Sequence, residues 1–135
     1  MPKKSDRIKV FEPKIKYAPT YEVKAYIGSR RHYNGTDISK QDVIDVITSE
    51  QAQHEPTFPI RITKTEFISL DYREEGWELA VINYPRYPRE KEALLSFMLQ
   101  LGQKLCFQLE QNRVSVIAPD RTTMYESPDA KESHK

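Results

Sequence analysis

Apolar and polar residues change period several times between Tyr21 and Glu126, and each change marks an element. Tyr21, Val23, Ala25 and Ile27 alternate with Glu22, Lys24 and Tyr26, the period of a half-buried strand that Gly28 ends. Asn34-Gly35 predicts a turn. Ser39 stands as an N-cap, with Asp42 completing a variant of the capping box. Val43, Ile44, Val46 and Ile47 then form one apolar stripe, so the spacing predicts a helix from about Lys40 to Gln51. Beyond Pro56 and Pro59, Ile60 and Ile62 face one side of a strand while Arg61, Thr63, Thr65 and Phe67 face the other. Arg73-Glu74-Glu75-Gly76 predicts a hairpin turn in which Gly76 takes a positive φ. Trp77, Leu79 and Val81 lead back as the returning strand, which Pro85 and Pro88 stop near Asn83.

Arg89 to Gln111 reads as the clearest helix, because Leu94, Leu95, Met98, Leu99, Leu101, Leu105, Cys106 and Leu109 recur at helical steps. Glu90 and Glu92 suit the positive end of its dipole, and at roughly 33 Å it is long enough to cross a sheet. Val114, Val116 and Ala118 predict a last strand, with a further short one over Thr122 to Glu126. The β-α-β-β-α-β order predicts an α+β, ferredoxin-like fold, an antiparallel sheet with two helices on one face.

The ends differ from this pattern. Residues 1–20 carry Lys3, Lys4, Arg7, Lys9, Lys14 and Lys16 against Asp6 and Glu12, and read as a loosely attached basic arm. Within that arm Ile8, Val10 and Phe11 suit a short edge strand. Residues 127–135 are polar and are expected to lack order. One domain over residues 21–126 is therefore expected, in line with a chain of 135 residues and 15.9 kDa. The apolar runs are too short for a membrane-spanning helix, and none follows the basic start as in a secretory signal. Twenty-one basic against twenty acidic residues leave a formal charge of +1, so no bulk field draws the chain to DNA or RNA. Cys106 alone makes no internal disulfide, and the expected compartment is the cytoplasm.

The residue types offer little to a catalytic reading. His32, His54 and His134 share no spacing with a nucleophile, and phosphate-loop, dinucleotide and nucleophile-elbow patterns are absent. Glu74, Glu75 and Glu78 read as a solvated turn, and Cys106 as a structural thiol on an apolar stripe. No enzyme, metal or cofactor is expected. The unusual segment is Asn83-Tyr84-Pro85-Arg86-Tyr87-Pro88-Arg89. Its prolines fix an amide, two phenols and two guanidiniums: Arg86 and Arg89 suit phosphate oxygens, and one of the tyrosines, Tyr84 or Tyr87, a base or ribose. A plain strand-to-helix turn explains the same residues equally well. Arg30-Arg31-His32-Tyr33 is a second basic and aromatic cluster that suits the capping of a diphosphate, although an exposed loop without a role is the stronger reading. Arg61 and Phe67 share a strand face and suit an adenine, while Arg113 and Arg121 bracket the last strand.

Several of these strings resemble one phage family. Tyr26-Ile27-Gly28, Thr65-Glu66-Phe67-Ile68, Gly76, Ile82-Asn83-Tyr84-Pro85-Arg86-Tyr87-Pro88, Gln111-Asn112-Arg113-Val114-Ser115-Val116, and Asp120 with Thr122 or Thr123 and Met124 are similar to the first type of Thoeris anti-defence protein, a bacteriophage sponge for immune signals. The resemblance spans roughly residues 21 to 126. It implies binding of glycocyclic ADP-ribose isomers, made by bacterial TIR-domain enzymes, which are sequestered without being cleaved. It also implies a homo-oligomer, dimer or hexamer, with the pocket near a subunit interface and cyclic oligonucleotides at a second site in some members. Carried over residue by residue, it assigns Asn83 and Arg86 from the proline string, Phe67 as a stacking ring, and Arg113 from the later run; Tyr84 and Tyr26, within the matched strings, complete the candidate set. Arg61 and Arg121 rest on the residue reading alone. The basic arm and Trp77 depart from the family pattern. The alternative is a small oligomeric nucleotide- or RNA-binding or regulatory phage protein with no sponge role.

Overall fold

Alternation and stripe dictate the architecture of the computed structural model, which describes residues 12–32, 35–128 and 130. In chain order the elements are β1 (Glu22–Gly28), α1 (Lys40–Gln51), β2 (Arg61–Ser69), β3 (Tyr72–Ile82), α2 (Lys91–Gln108), β4 (Arg113–Ala118) and β5 (Arg121–Glu126). They form one antiparallel sheet in the order β2-β3-β1-β4-β5. Its first four strands have the ferredoxin-like arrangement expected, and β5 extends one edge. The expected edge strand around Ile8, Val10 and Phe11, the Asn34 side of the expected turn, and Asp129 and residues 131–135 of the tail lie outside the described residues. Among the described residues no helix is long and apolar enough to cross a membrane.

Val23, Ala25 and Ile27 of β1, Leu79 and Val81 of β3, and Val114 and Val116 of β4 point to the helical side and are buried. Leu94, Phe97, Met98, Leu101, Leu105 and Cys106 of α2 meet them. Full burial of a side chain of this size contributes about 1.5–3 kcal/mol, so this layer supplies most of the driving force for folding. Helix and sheet close tightly at Gly102, where a Cβ would lie 2.6 Å from Val116 Cγ2. The expected capping box forms at α1: Asp42 N donates to Ser39 Oγ at 3.1 Å, and Ser39 N donates to Asp42 Oδ2 at 2.8 Å.

The hairpin differs from expectation. Ser69 pairs with Tyr72, so the turn falls at Leu70 and Asp71, and Arg73, Glu74 and Glu75 belong to β3. Leu70 takes the left-handed conformation (φ 54°) and is 97% exposed, whereas Gly76 lies in the ladder without a positive φ. The ladder continues past the expected turn because Gly76, Glu75 and Glu74 find partners in Thr65, Glu66 and Phe67. Glu74 is consequently buried, not solvated.

One other carboxylate is buried among the described residues, on the helical side. Glu50 of α1 is 1% exposed and pairs with Lys104 of α2 and with His54 Nε2 at 3.1 Å. Burial alone would push its carboxyl up, but the bonds from Lys104 and His54 outweigh it and hold the pKa below the usual value. A depressed pKa means that the stabilisation is complete above the ordinary carboxylate range and is lost as pH falls through the lower folded value. Glu50→Gln is expected to cost about 1–3 kcal/mol at neutral pH. Its thermal midpoint should also fall less steeply with acid than that of the unaltered chain; parallel acid limbs in a melting series would show that Glu50 is not the group responsible.

Candidate functional site

The side chains that alternate with the core point to the face without helices. There Tyr26 stands opposite Glu78 on β3 and Ser115 on β4, and Phe67 stands opposite Glu74. Tyr26 Oη donates to Glu78 Oε1 at 2.8 Å. That bond, then burial, pushes the phenol pKa up, so Tyr26 remains a neutral donor at physiological pH. Toward the C-terminal end of β1 the face deepens into a cavity of about 350 Å³, walled by Tyr26, Phe67, Tyr72, Glu74, Asn112 and Arg113. A volume of this order accommodates a nucleoside-sized ligand.

Two glycines make the depression. Gly28 and Gly76 pair across β1 and β3. A Cβ on Gly28 would lie 2.3 Å from Glu74 Oε2, and one on Gly76 would lie 2.2 Å from Ile27 O and 2.7 Å from Phe67 Cε2. With no side chains there, the Glu74 carboxylate and the Phe67 ring lie close against the sheet. Phe67 meets Tyr26 edge-to-face, with centroids 6.1 Å apart at 78°.

Glu74, 7% exposed, is held from three directions. Its Oε2 accepts from the backbone N–H groups of Ser29 (3.0 Å) and Arg30 (3.1 Å), and its Oε1 accepts from Tyr72 Oη at 2.6 Å. Oε1 keeps acceptor capacity beyond that bond. The loop that donates these amides is itself tied down by Gln111, whose Oε1 accepts from Gly28 N at 3.1 Å and whose Nε2 donates to Arg30 O at 3.0 Å. Beside it, Asn112 is 4% exposed. Its Oδ1 bonds His32 Nδ1 at 2.6 Å, while its Nδ2 has no partner among the described residues. An unmet buried donor costs about 1–3 kcal/mol, which an acceptor on a ligand relieves. His32 is held at a φ of 47°, an uncommon conformation for a residue with a side chain.

Of the residues singled out from sequence, Tyr26, Phe67 and Arg113 meet in this cavity, with Arg30 of the second basic cluster at its border. Arg113 Nε donates to Glu126 Oε2 at 2.6 Å, which fixes its guanidinium at the rim. The others lie elsewhere. Arg61 pairs with Glu22 at 2.9 Å and lines, with Tyr84, a separate shallow recess near Pro59 and Ile82. Asn83 is a buried staple: its Nδ2 donates to Pro19 O at 2.9 Å and its Oδ1 accepts from Arg89 N at 2.8 Å. Arg86 is exposed, its guanidinium 5.2 Å from the Tyr87 ring centroid, and Arg121 is exposed at the start of β5. Sequence reading missed Tyr72, Glu74 and Asn112 as members of the site. Glu74 was readable only through strand register, since it is Phe67's cross-strand partner. No group of metal ligands occurs among the described residues.

No protein-family model and no curated protein matches this sequence. Among solved structures, the chain is similar to a phage SAM (S-adenosylmethionine) lyase in complex with S-methyl-5′-thioadenosine: 14% identity over 87% of this chain and 98% of that one, with a TM-score of 0.62. A phage SAM lyase in the apo state matches at 14% identity over 80% of this chain and 90% of that one, TM-score 0.59. The likeness shows a shared fold. It also corrects one expectation: the chain was read as no enzyme, and the structures that share its fold are of an enzyme. Locally, Glu74, read from sequence as part of a solvated turn, is a buried carboxylate on the wall of the cavity.

The two glycines have separable roles. Gly76→Ala sets a methyl against a backbone carbonyl, which cannot move away, and is expected to cost about 1–3 kcal/mol. Gly28→Ala meets only the end of the Glu74 side chain and should cost less while displacing that carboxylate. Thermal midpoints of the two variants check this order; equal midpoints would count against the crowding described.

Proposed function

We propose that the chain binds an adenosyl ligand in this cavity and cleaves S-adenosylmethionine at a carbon–sulfur bond, releasing S-methyl-5′-thioadenosine. The observation that carries the reading is Glu74, a carboxylate held by the Ser29 and Arg30 amides and Tyr72 beside two aromatic rings. A sulfonium needs no proton to leave: its bond to the amino-acid γ-carbon breaks with the electron pair going to sulfur as a neutral thioether, while an oxygen of the substrate's own α-carboxylate bonds that carbon and closes a lactone. Such a reaction calls for no histidine or metal; the Glu74 carboxylate binds the cationic substrate and holds its sulfur in one orientation for the displacement. Tyr26 and Phe67 give the purine apolar and edge-on contacts. The Asn112 amide supplies a donor that a ring nitrogen or ribose oxygen satisfies.

The fold supports this reading through the phage SAM lyase that shares it and holds a thioadenosine. A cyclic ADP-ribose, the ligand implied by the sequence resemblance, asks instead for a diphosphate clamp. Of the arginines singled out from sequence, Arg30 and Arg113 border the cavity, the second bonded to Glu126, while Arg61, Arg86 and Arg121 lie elsewhere, so no clamp of several guanidiniums converges there.

Incubation with S-adenosylmethionine followed by chromatography decides the matter. Accumulation of S-methyl-5′-thioadenosine is expected, and Glu74→Gln should lower the rate at least about a hundredfold with the fold intact. Tyr72→Phe should lower it less, because the backbone donors remain. Unchanged S-adenosylmethionine, or a nucleotide depleted from solution and returned intact on heating, would overturn the lyase reading.

A further inference from the structure

Tyr26 has a single phenolic hydrogen, and Glu78 takes it: Tyr26 Oη donates to Glu78 Oε1 at 2.8 Å. The two residues stand opposite each other across the β1–β3 ladder. An ionised carboxylate only accepts, so the bond has one direction, and the phenol oxygen keeps lone pairs alone for a further partner. Tyr26 belongs to the wall of the aromatic cavity, whereas Glu78 does not line it. Glu78 makes no ion pair with any described residue, so its charge stands uncompensated at the phenol. The bond to Glu78, then burial, then the charges of Glu78 and Glu22 push the phenol pKa up. The hydrogen therefore stays on Tyr26, and negative potential surrounds its oxygen. Phe67 braces the ring edge-to-face, with centroids 6.1 Å apart.

We infer that Tyr26, held in this way by Glu78, makes the cavity select a purine with an amino group at its 6 position. The inference rests on the adenosyl reading proposed above. The exocyclic N–H of an adenine donates to Tyr26 Oη, whereas a 6-oxopurine sets a carbonyl oxygen against the same lone pairs. A ribose hydroxyl at that place would not discriminate, since it both donates and accepts. A wall with a fixed hydrogen-bonding group rejects an analogue of the wrong polarity more strongly than an apolar wall does. Glu78 touches no ligand in this arrangement and acts through Tyr26, as a positioning residue.

S-methyl-5′-thioadenosine and S-methyl-5′-thioinosine make a clean pair of probes, because they differ only in the purine edge. Titration calorimetry on the unaltered chain should show the adenosine compound binding at least about tenfold more tightly. Tyr26→Phe removes the acceptor and should bring the two affinities to within about threefold. Glu78→Gln should raise the affinity for the inosine compound, since the new side-chain amide donates to Tyr26 Oη and frees the phenol hydrogen to turn toward the cavity. A purely structural role for the pair would lower both affinities together and leave their ratio unchanged. Affinities within about twofold in the unaltered chain, or a ratio that neither substitution moves, overturn the selection while leaving the adenosyl cavity standing. Failure of both probes to bind overturns the cavity reading and the selection with it.

Discussion

The site depends on one close approach, the pairing of Gly28 with Gly76 across β1 and β3. Any side chain at either position would collide with the Ile27 carbonyl, the Phe67 ring or the Glu74 carboxylate. Because both lack one, a charged group and an aromatic ring lie close on a sheet surface that would otherwise carry ordinary exposed residues. Glu74 reaches the Ser29 and Arg30 amides at the end of β1, and Phe67 reaches Tyr26. The cavity is thus built mainly on strands, whose positions are fixed by their ladders, and only its rim is loop.

The two faces of the sheet divide the labour. The helical face holds the apolar layer that stabilises the fold, and the only carboxylate buried there among the described residues, Glu50, is bonded to Lys104 and His54. The other face leaves Glu74 without an ion pair among the described residues, bonded by neutral donors alone. That contrast fits a structural charge in one place and a charge kept for a cationic ligand in the other. Gln111 and Asn112, adjacent at the start of β4, divide in the same way. The first is saturated by backbone partners, and the second keeps an unmet donor.

Much of the fold was legible because period is a local property. Alternation placed Tyr26 and Phe67 opposite the core side of their strands, and the Ser39–Asp42 box and the leucine stripe placed both helices to within a few residues. The site was legible only in part. Arg73-Glu74-Glu75-Gly76 carries ordinary turn chemistry, yet the turn falls at Leu70 and Asp71, where no glycine or asparagine announces it, and register then buries Glu74. The proline string drew attention by its composition, but Asn83 uses both ends of its amide to staple Pro19 and Arg89. Asn112 joins the wall through His32, a contact across most of the chain that no local pattern encodes. The expectation of no enzyme rested on reading Glu74 as solvated, whereas it is buried in the cavity wall and the fold is shared with an enzyme.

The central claim is positional, and a crystal structure of the chain grown with S-methyl-5′-thioadenosine tests it most directly. The account places the purine against Tyr26 and Phe67, with the thioether sulfur beside Glu74. Density for the ligand at the Asn83–Arg89 loop, on the helical side away from Glu74, or nowhere on the open face of the sheet would contradict it.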